Sequence, residues 1–143
     1  ILLTLQINHT IGKIMRHLYN TFINRKNVNL DISNKCTLEC IACSRQSNRF
    51  EGSPIPGYDT SLSQWTKLCK HFKHLCLCGQ ISDPIFNPNL IKFVEIAKEH
   101  KIHYLSIHTA ATAKHRKFDW YKKVNEIYPK SIHWKFGLDG FQM

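Results

Sequence analysis

The sequence predicts an α/β fold built on a parallel sheet. Short apolar runs typical of strands alternate along the chain with longer segments whose apolar residues recur at helical spacing. Capping and turn residues separate the two kinds of segment, and strands joined by helices pair in parallel through right-handed crossovers. With 143 residues, 43% of them hydrophobic and 21% charged, the chain can bury one core and does not have the composition of a disordered segment.

The first part of the chain is predicted to hold a helical extension, residues 1–26, and then the first strand. Thr10 can cap a helix in this extension, because apolar residues follow it at helical spacing. Val28, Leu30 and Ile32 alternate with polar residues, as in a strand with two different faces. The domain itself is therefore predicted over residues 27–143. The apolar segment 1–7 is too short to span a bilayer, so no membrane partner is expected.

A loop, a helix and a second strand are predicted next. Residues 45–60 contain two glycines and two prolines, a composition that predicts a loop. Ser61 and Gln64 form a capping-box pattern in front of an apolar stripe at helical spacing. Residues 75–78 form a short apolar run typical of a parallel strand buried on both faces, and Gly79 ends it.

The last part of the chain repeats this alternation. Asn87 as the cap and Pro88 as the first helical residue predict the start of another helix. A third strand is expected over residues 102–108, a helix over 117–128 and a fourth strand over 132–138. The fourth strand would form an exposed apolar edge, and such edges recruit partners, so self-association is expected.

Three cysteines, Cys36, Cys40 and Cys43, lie close together directly after the first predicted strand. Thiolates are soft ligands that suit iron–sulfur clusters, zinc or copper(I). Structural zinc sites usually add a second cysteine pair, and none follows here. Three thiolates leave one metal position open, as catalysis requires. Core packing is the expected role of the other three cysteines, Cys69, Cys76 and Cys78.

The spacing Cys-x3-Cys-x2-Cys after a first strand resembles the radical S-adenosylmethionine (radical SAM) superfamily. The resemblance implies a (β/α) barrel core, here partial, with about four parallel strands and outer helices. It implies a four-iron four-sulfur cluster on Cys36, Cys40 and Cys43, with S-adenosylmethionine on the fourth iron. Electrons from a donor such as flavodoxin or ferredoxin would cleave the cofactor to a 5′-deoxyadenosyl radical. Four βα units match only the N-terminal part of the usual six, so a fragment or a half-barrel is expected.

Three later segments extend the resemblance to the cofactor side. Residues 79–84 resemble the glycine-rich segment that grips the methionyl amino group, with Gly79, Gln80 and Asp83 as candidates, although a plain turn remains the alternative. Thr109 matches a Thr-Asn-Gly segment after the third strand. Asp139, in a segment resembling Ser-Leu-Asp-Gly, is a candidate for a ribose or substrate contact. The substrate itself stays open among peptide, nucleoside and small metabolite.

The net charge of +10 implies attraction to anions and keeps a second hypothesis open. A zinc-binding basic module contacting nucleic acid could use the three cysteines together with a histidine or a distant cysteine. The colour of the protein after anaerobic reconstitution with iron and sulfide would distinguish the two hypotheses, since an iron–sulfur cluster is brown and a zinc site is colourless. Clustered thiolates suit a reducing compartment, so a cytoplasmic location is expected.

Overall fold

The computed structural model describes residues 27–137 and contains one sheet of four parallel strands. The strands are β1 (Asn27–Leu30), β2 (His74–Leu77), β3 (Tyr104–Thr109) and β4 (Ile132–Phe136). Their order in the sheet follows the chain, β1-β2-β3-β4, and each pairs in parallel with the next. The predicted α/β class and parallel pairing are confirmed. The extension predicted for residues 1–26 and the candidate Asp139 lie outside the described residues.

Four α-helices connect the strands, α1 (Ser44–Phe50), α2 (Leu62–His71), α3 (Leu90–Glu99) and α4 (Phe118–Ile127), and a short 3-10 helix, Pro84–Phe86, precedes α3. Because the strand order follows the chain, right-handed crossovers put the connecting helices on one face of the sheet. The contacts agree, since α2 packs against α3 and α3 against α4. Trp65 of α2 stacks on Phe93 of α3 with 4.8 Å between ring centroids, and its Nε1 donates to the Phe93 carbonyl at 2.8 Å. Among the described helices, none has the length and apolarity needed to cross a membrane.

The hydrophobic core lies between this helix layer and one face of the sheet. Leu75, Leu77, Leu105 and Ile107 are fully buried there, and Leu75 is in register with Leu105, which in turn pairs with Ile132. The predicted capping box at the start of α2 is present, with Ser61 and Gln64 bonding each other's backbone N–H groups. Burial of the apolar stripes on α2, α3 and α4 fixes the layer against the sheet, whereas α1 buries no residue.

Two boundaries predicted from the sequence are wrong. Residues 45–60 are not a continuous loop, because α1 occupies Ser44–Phe50 and the turn and loop residues begin only at Glu51 and Gly52. The glycines and prolines responsible for the prediction all follow the helix. The third helix begins at Leu90 rather than Pro88, since the Asn87 side chain accepts the N–H of Asn89 and holds a turn in front of it.

The prediction that Cys76 and Cys78 pack in the core is also wrong. Both thiols are half-buried, whereas Cys69 on α2 is fully buried as expected. In β2 the leucines point toward the helices, so the alternating cysteines point toward the opposite face. The strand is therefore buried on one face only among the described residues.

Candidate functional site

A cleft of about 330 Å³ opens where the carboxyl ends of the strands meet. Its lining includes every sequence-predicted site residue within the described part of the chain. They come from two loops and one strand end: Cys36, Cys40 and Cys43 after β1, Gly79, Gln80 and Asp83 after β2, and Thr109 as the last residue of β3. The carboxyl ends of parallel strands are where such sheets collect ligands. Residues far apart in the sequence are thus brought into one place.

The cysteine loop is a compact turn that leads into α1. The Cys43 N–H donates to the Cys40 carbonyl at 3.0 Å, and the Cys43 carbonyl accepts the first amide bonds of α1, from Gln46 and Ser47. The Leu38 N–H donates to Cys36 Sγ at 3.4 Å. Cys36 and Cys43 are half-buried, Cys40 is exposed, and all are free thiols. The short helix therefore sets the position of the third cysteine.

Two arginines of α1 fasten this loop to its surroundings. Arg45 Nη1 donates to the Asn34 carbonyl and, at 3.3 Å, to the Ile81 carbonyl. Arg49 donates to the Cys36 carbonyl at 3.5 Å. Neither residue was a candidate from the sequence, because the helix carrying them was not predicted. Their spacing at i and i+4 was the signal, since it puts both on one side of a helix.

The donor set fits a metal or iron–sulfur group in type and location. Three thiols that line one cleft are the soft ligands such groups use. Burial raises the pKa of Cys36, and the nearby Asp83 adds to the effect, so the protein alone favours the neutral thiol there. Within residues 27–137, no three His, Cys, Asp or Glu side chains already surround one point as metal ligands. Binding would require the thiol side chains to turn toward each other.

Asp83 is the most enclosed of the candidates, at 3% exposed. Its Oδ2 accepts the Thr109 hydroxyl at 2.8 Å and the Ala110 N–H at 3.1 Å, and its Oδ1 accepts the Ile85 N–H at 3.1 Å. Burial raises the pKa of this carboxyl, and the three bonds oppose that rise. Asp83 and Thr109 therefore form one unit that ties the loop after β2 to the end of β3.

Gly79 is required by the shape of the loop after β2. Its φ is +55°, and a Cβ at this position would lie 2.4 Å from the Ser82 carbonyl oxygen. An L side chain would be strained by the backbone conformation and would collide with the backbone as well. The loop continues with the Ser82 hydroxyl bonded to Asp31 at 2.8 Å and the Asp83 N–H bonded to the Lys35 carbonyl at 2.9 Å. The tight turn thus holds Asp83 next to the cysteine loop.

Three further side chains that sequence reasoning missed line the cleft: Cys78, His108 and Lys135. Burial lowers the pKa of His108, and Lys135 lowers it further, so its imidazole is neutral near pH 7. Burial raises the pKa of the Cys78 thiol. The signal for these residues was their alternation with buried partners such as Leu77 and Ile107, which assigns them to the opposite face of the sheet.

Comparison with models of protein families, with curated proteins and with solved structures gives no match.

Proposed function

We propose that the chain is the N-terminal part of a radical SAM core, with Cys36, Cys40 and Cys43 as the ligands of a four-iron four-sulfur cluster. One observation carries the proposal. The three thiols share a single cleft with the turn at Gly79 and with the Asp83–Thr109 pair, although these residues lie on two different loops and at the end of a third strand. The zinc hypothesis would take its fourth ligand from Cys78 or His108, which line the same cleft, and the metal analysis below separates it from the cluster.

The sheet supports the finer fold proposal of a partial (β/α) barrel. Four parallel strands in chain order, with successive helices packed against each other, are the arrangement that curls into a barrel when further units are added. The doubly wound alternative reverses its strand order at one point, and the described sheet has no such reversal.

When bound, the cluster would supply the electron that cleaves S-adenosylmethionine to a 5′-deoxyadenosyl radical. The chain's own residues would bind S-adenosylmethionine and orient it. The turn at Gly79 lets the backbone of residues 79–82 line the cleft without a Cβ in the way. A carboxylate offers about four acceptor sites, and Asp83 uses three, so one stays free for an ammonium of the cofactor. Thr109 holds that carboxylate in position.

The exposure of the cysteine loop supports the entry of electrons from another protein. Cys40 is exposed, so a cluster on this loop would lie within reach of a flavodoxin or ferredoxin bound at the surface. Six free cysteines also suit a reducing compartment, and the proposed function therefore belongs in the cytoplasm.

The test is anaerobic reconstitution with iron and sulfide, followed by iron analysis and calorimetry with S-adenosylmethionine. The wild-type protein should turn brown, hold about four irons per chain and bind the cofactor. Cys36→Ala, Cys40→Ala and Cys43→Ala should each lose the cluster, because two thiolates are too few to retain it.

Cys78→Ala is the matched control, since Cys78 lines the same cleft but lies on the end of β2 rather than in the cysteine loop. Cys69→Ala controls for the loss of a buried thiol. Both variants should keep the wild-type iron content. A colourless protein with one tightly held zinc, or an equal loss of iron in all five variants, would overturn the proposal.

A further inference from the structure

The face of the sheet opposite the helices is polar, which is unusual for a parallel sheet. Parallel sheets are normally covered on both faces by apolar layers. Here the alternate residues are exposed or half-exposed apart from Ser106, so no described element covers them. The strand residues on this face are Asn27, Asn29, His74, Cys76, Tyr104, Ser106, His108, His133 and Lys135.

Aromatic rings cross this face from β2 to β4. Tyr104 stacks on His133 with 4.4 Å between ring centroids and 23° between ring planes. His74, which is in register with Tyr104, lies 6.1 Å from it on the other side. His74 and His133 are exposed and Tyr104 is half-exposed. Because Tyr104 lies between the two histidine rings, the π faces turned outward from this row, on which a base can stack, are those of His133 and His74.

The charges around the rings favour an anionic ligand. Lys135 is exposed two residues beyond His133 on the same strand, and it forms no ion pair with the residues that the structure describes. Asp31 follows β1 directly, and its carboxylate accepts the Ser82 hydroxyl at 2.8 Å. The whole chain carries a net charge of +10. Phosphate groups would find a cation here in Lys135.

We propose that this face binds single-stranded nucleic acid. Unpaired bases would stack on the outer faces of His133 and His74, Tyr104 would hold the two rings in place from between them, and the backbone phosphate would contact Lys135. A four-stranded sheet with surface aromatic residues has room to stack two or three bases in this way. A duplex hides its base faces and would leave the rings unused. A membrane or an apolar protein surface would bury polar histidine and asparagine side chains without partners.

As a statement about binding, the inference is independent of the cluster. The idea that the bound nucleic acid is also the substrate rests on the proposed function. It follows from location, since His108 and Lys135 line the cysteine cleft and also lie on this face. In the proposed partial barrel this face is the inner one, and a strand that runs along it from the rings at the amino ends of the β-strands to Lys135 near their carboxyl ends would bring one nucleotide next to the proposed cofactor. Binding to the apoprotein and iron content are separate measurements, so either idea can fail alone.

The experiment is fluorescence anisotropy with labelled single-stranded RNA and DNA of about ten nucleotides, a length within the usual site sizes. It uses the full chain, with and without reconstitution. Tyr104→Ala and His133→Ala should each weaken binding about 5- to 100-fold, the loss expected for one stacked base. Tyr104→Phe keeps the ring and should bind like the wild type. Lys135→Gln should reduce the slope of log affinity against log salt by about 0.7, since one phosphate contact is lost.

Phe118→Ala and Lys98→Gln are the matched controls, because both residues are exposed on helices away from this face. They should leave affinity and salt slope unchanged. Binding that is lost equally in the controls, that survives both alanine substitutions, or that is as strong for duplex would overturn the proposal. So would the absence of measurable binding by the wild-type protein in about 50 mM salt, where phosphate contacts are strong.

Discussion

The two faces of the sheet are built from alternate residues of the same strands, yet they differ in every physical respect. On β2, Leu75 and Leu77 are fully buried beneath the helices, while Cys76 between them is half-exposed. On β3, Ile107 is fully buried and His108 lines the cleft. One face supplies the apolar burial that holds the domain together, and the other carries the groups that can meet a ligand. In the middle of the sheet, the parity of the residue number within each strand therefore decides whether a side chain is buried beneath the helices or lies on the polar face.

The strongest test of this separation compares one substitution on each face. Ile107→Ala removes a fully buried side chain from the helix-covered face, and it should lower the free energy of unfolding by about 2–5 kcal/mol. Lys135→Ala, on the polar face of the neighbouring strand, should change it by no more than about 0.5 kcal/mol. Urea denaturation measures both. Similar losses in the two variants would mean that the polar face is also packed, and the contrast between the faces would be lost.

A smaller loss of stability is expected for a substitution at Gly79, in the loop that leads from β2 into the cleft. Gly79→Ala should cost about 2–4 kcal/mol of unfolding free energy, because backbone strain and a collision with the Ser82 carbonyl add together. Gly52→Ala is the matched control, since Gly52 has a similar φ of +66° but open space around its Cβ position. It should cost about 1–2 kcal/mol from backbone strain alone.

The difference between the two glycine variants measures how tightly the loop after β2 is packed. The melting of the two variants, followed by circular dichroism, gives the same ranking independently of denaturant. If Gly79→Ala is no more costly than Gly52→Ala, the close approach at Gly79 does not exist in solution.

The smallest effect on stability is expected from two carboxyls, Asp83 and Asp59, whose pKa values are shifted in opposite directions. Burial raises the pKa of Asp83, so its contribution to stability is complete below the unfolded pKa near about 4 and is lost as the pH rises through the folded value. Asp59 is partly buried too, but hydrogen bonds from Lys35 and Ser33 lower its pKa. Its contribution is therefore present above about pH 4 and is lost as the pH falls through the folded value.

Urea unfolding measured between about pH 2 and 7 separates the contributions of Asp83 and Asp59 to stability. Asp83→Asn should remove part of the decline in stability above pH 4, and Asp59→Asn should remove part of the loss below it. Identical pH profiles for the two variants would show that the cleft carboxyl is no more enclosed than the surface one.

Most of the fold was predictable because the signals for it are local. The apolar alternation in residues 28–32, the capping box at Ser61 and the short run at 75–78 each depend on neighbours within one or two turns. The helix α1 was missed because the glycines and prolines that follow it dominated the composition of residues 45–60. Helix propensity within seven residues is too weak to compete with such a signal.

The site was predictable only in part, because its geometry depends on tertiary contacts. The spacing of Cys36, Cys40 and Cys43 pointed to a shared role, and the structure brings them to one cleft. That Asp83 would be enclosed by Thr109 and Ala110 could not be foreseen, since these residues are 26 and 27 positions away. Whether Cys78 faces the core or the cleft depends on which face the helices cover, and a short apolar run does not specify that.

The double attachment of Arg45 links the motions of two loops. One guanidinium bonds to the carbonyl of Asn34, just before the cysteines, and to that of Ile81, in the loop after β2. If either loop opens, the Arg45 guanidinium loses its hydrogen bond to that loop, and its hold on the other loop is weakened as well. We therefore expect the two loops to open as one cooperative unit and to exchange their amide hydrogens together. A ligand that orders one loop would then slow exchange in both. Both loops would then become more ordered together when a ligand binds. Because Arg45 already holds them in the free protein, binding would cost less conformational entropy than ordering two independent loops.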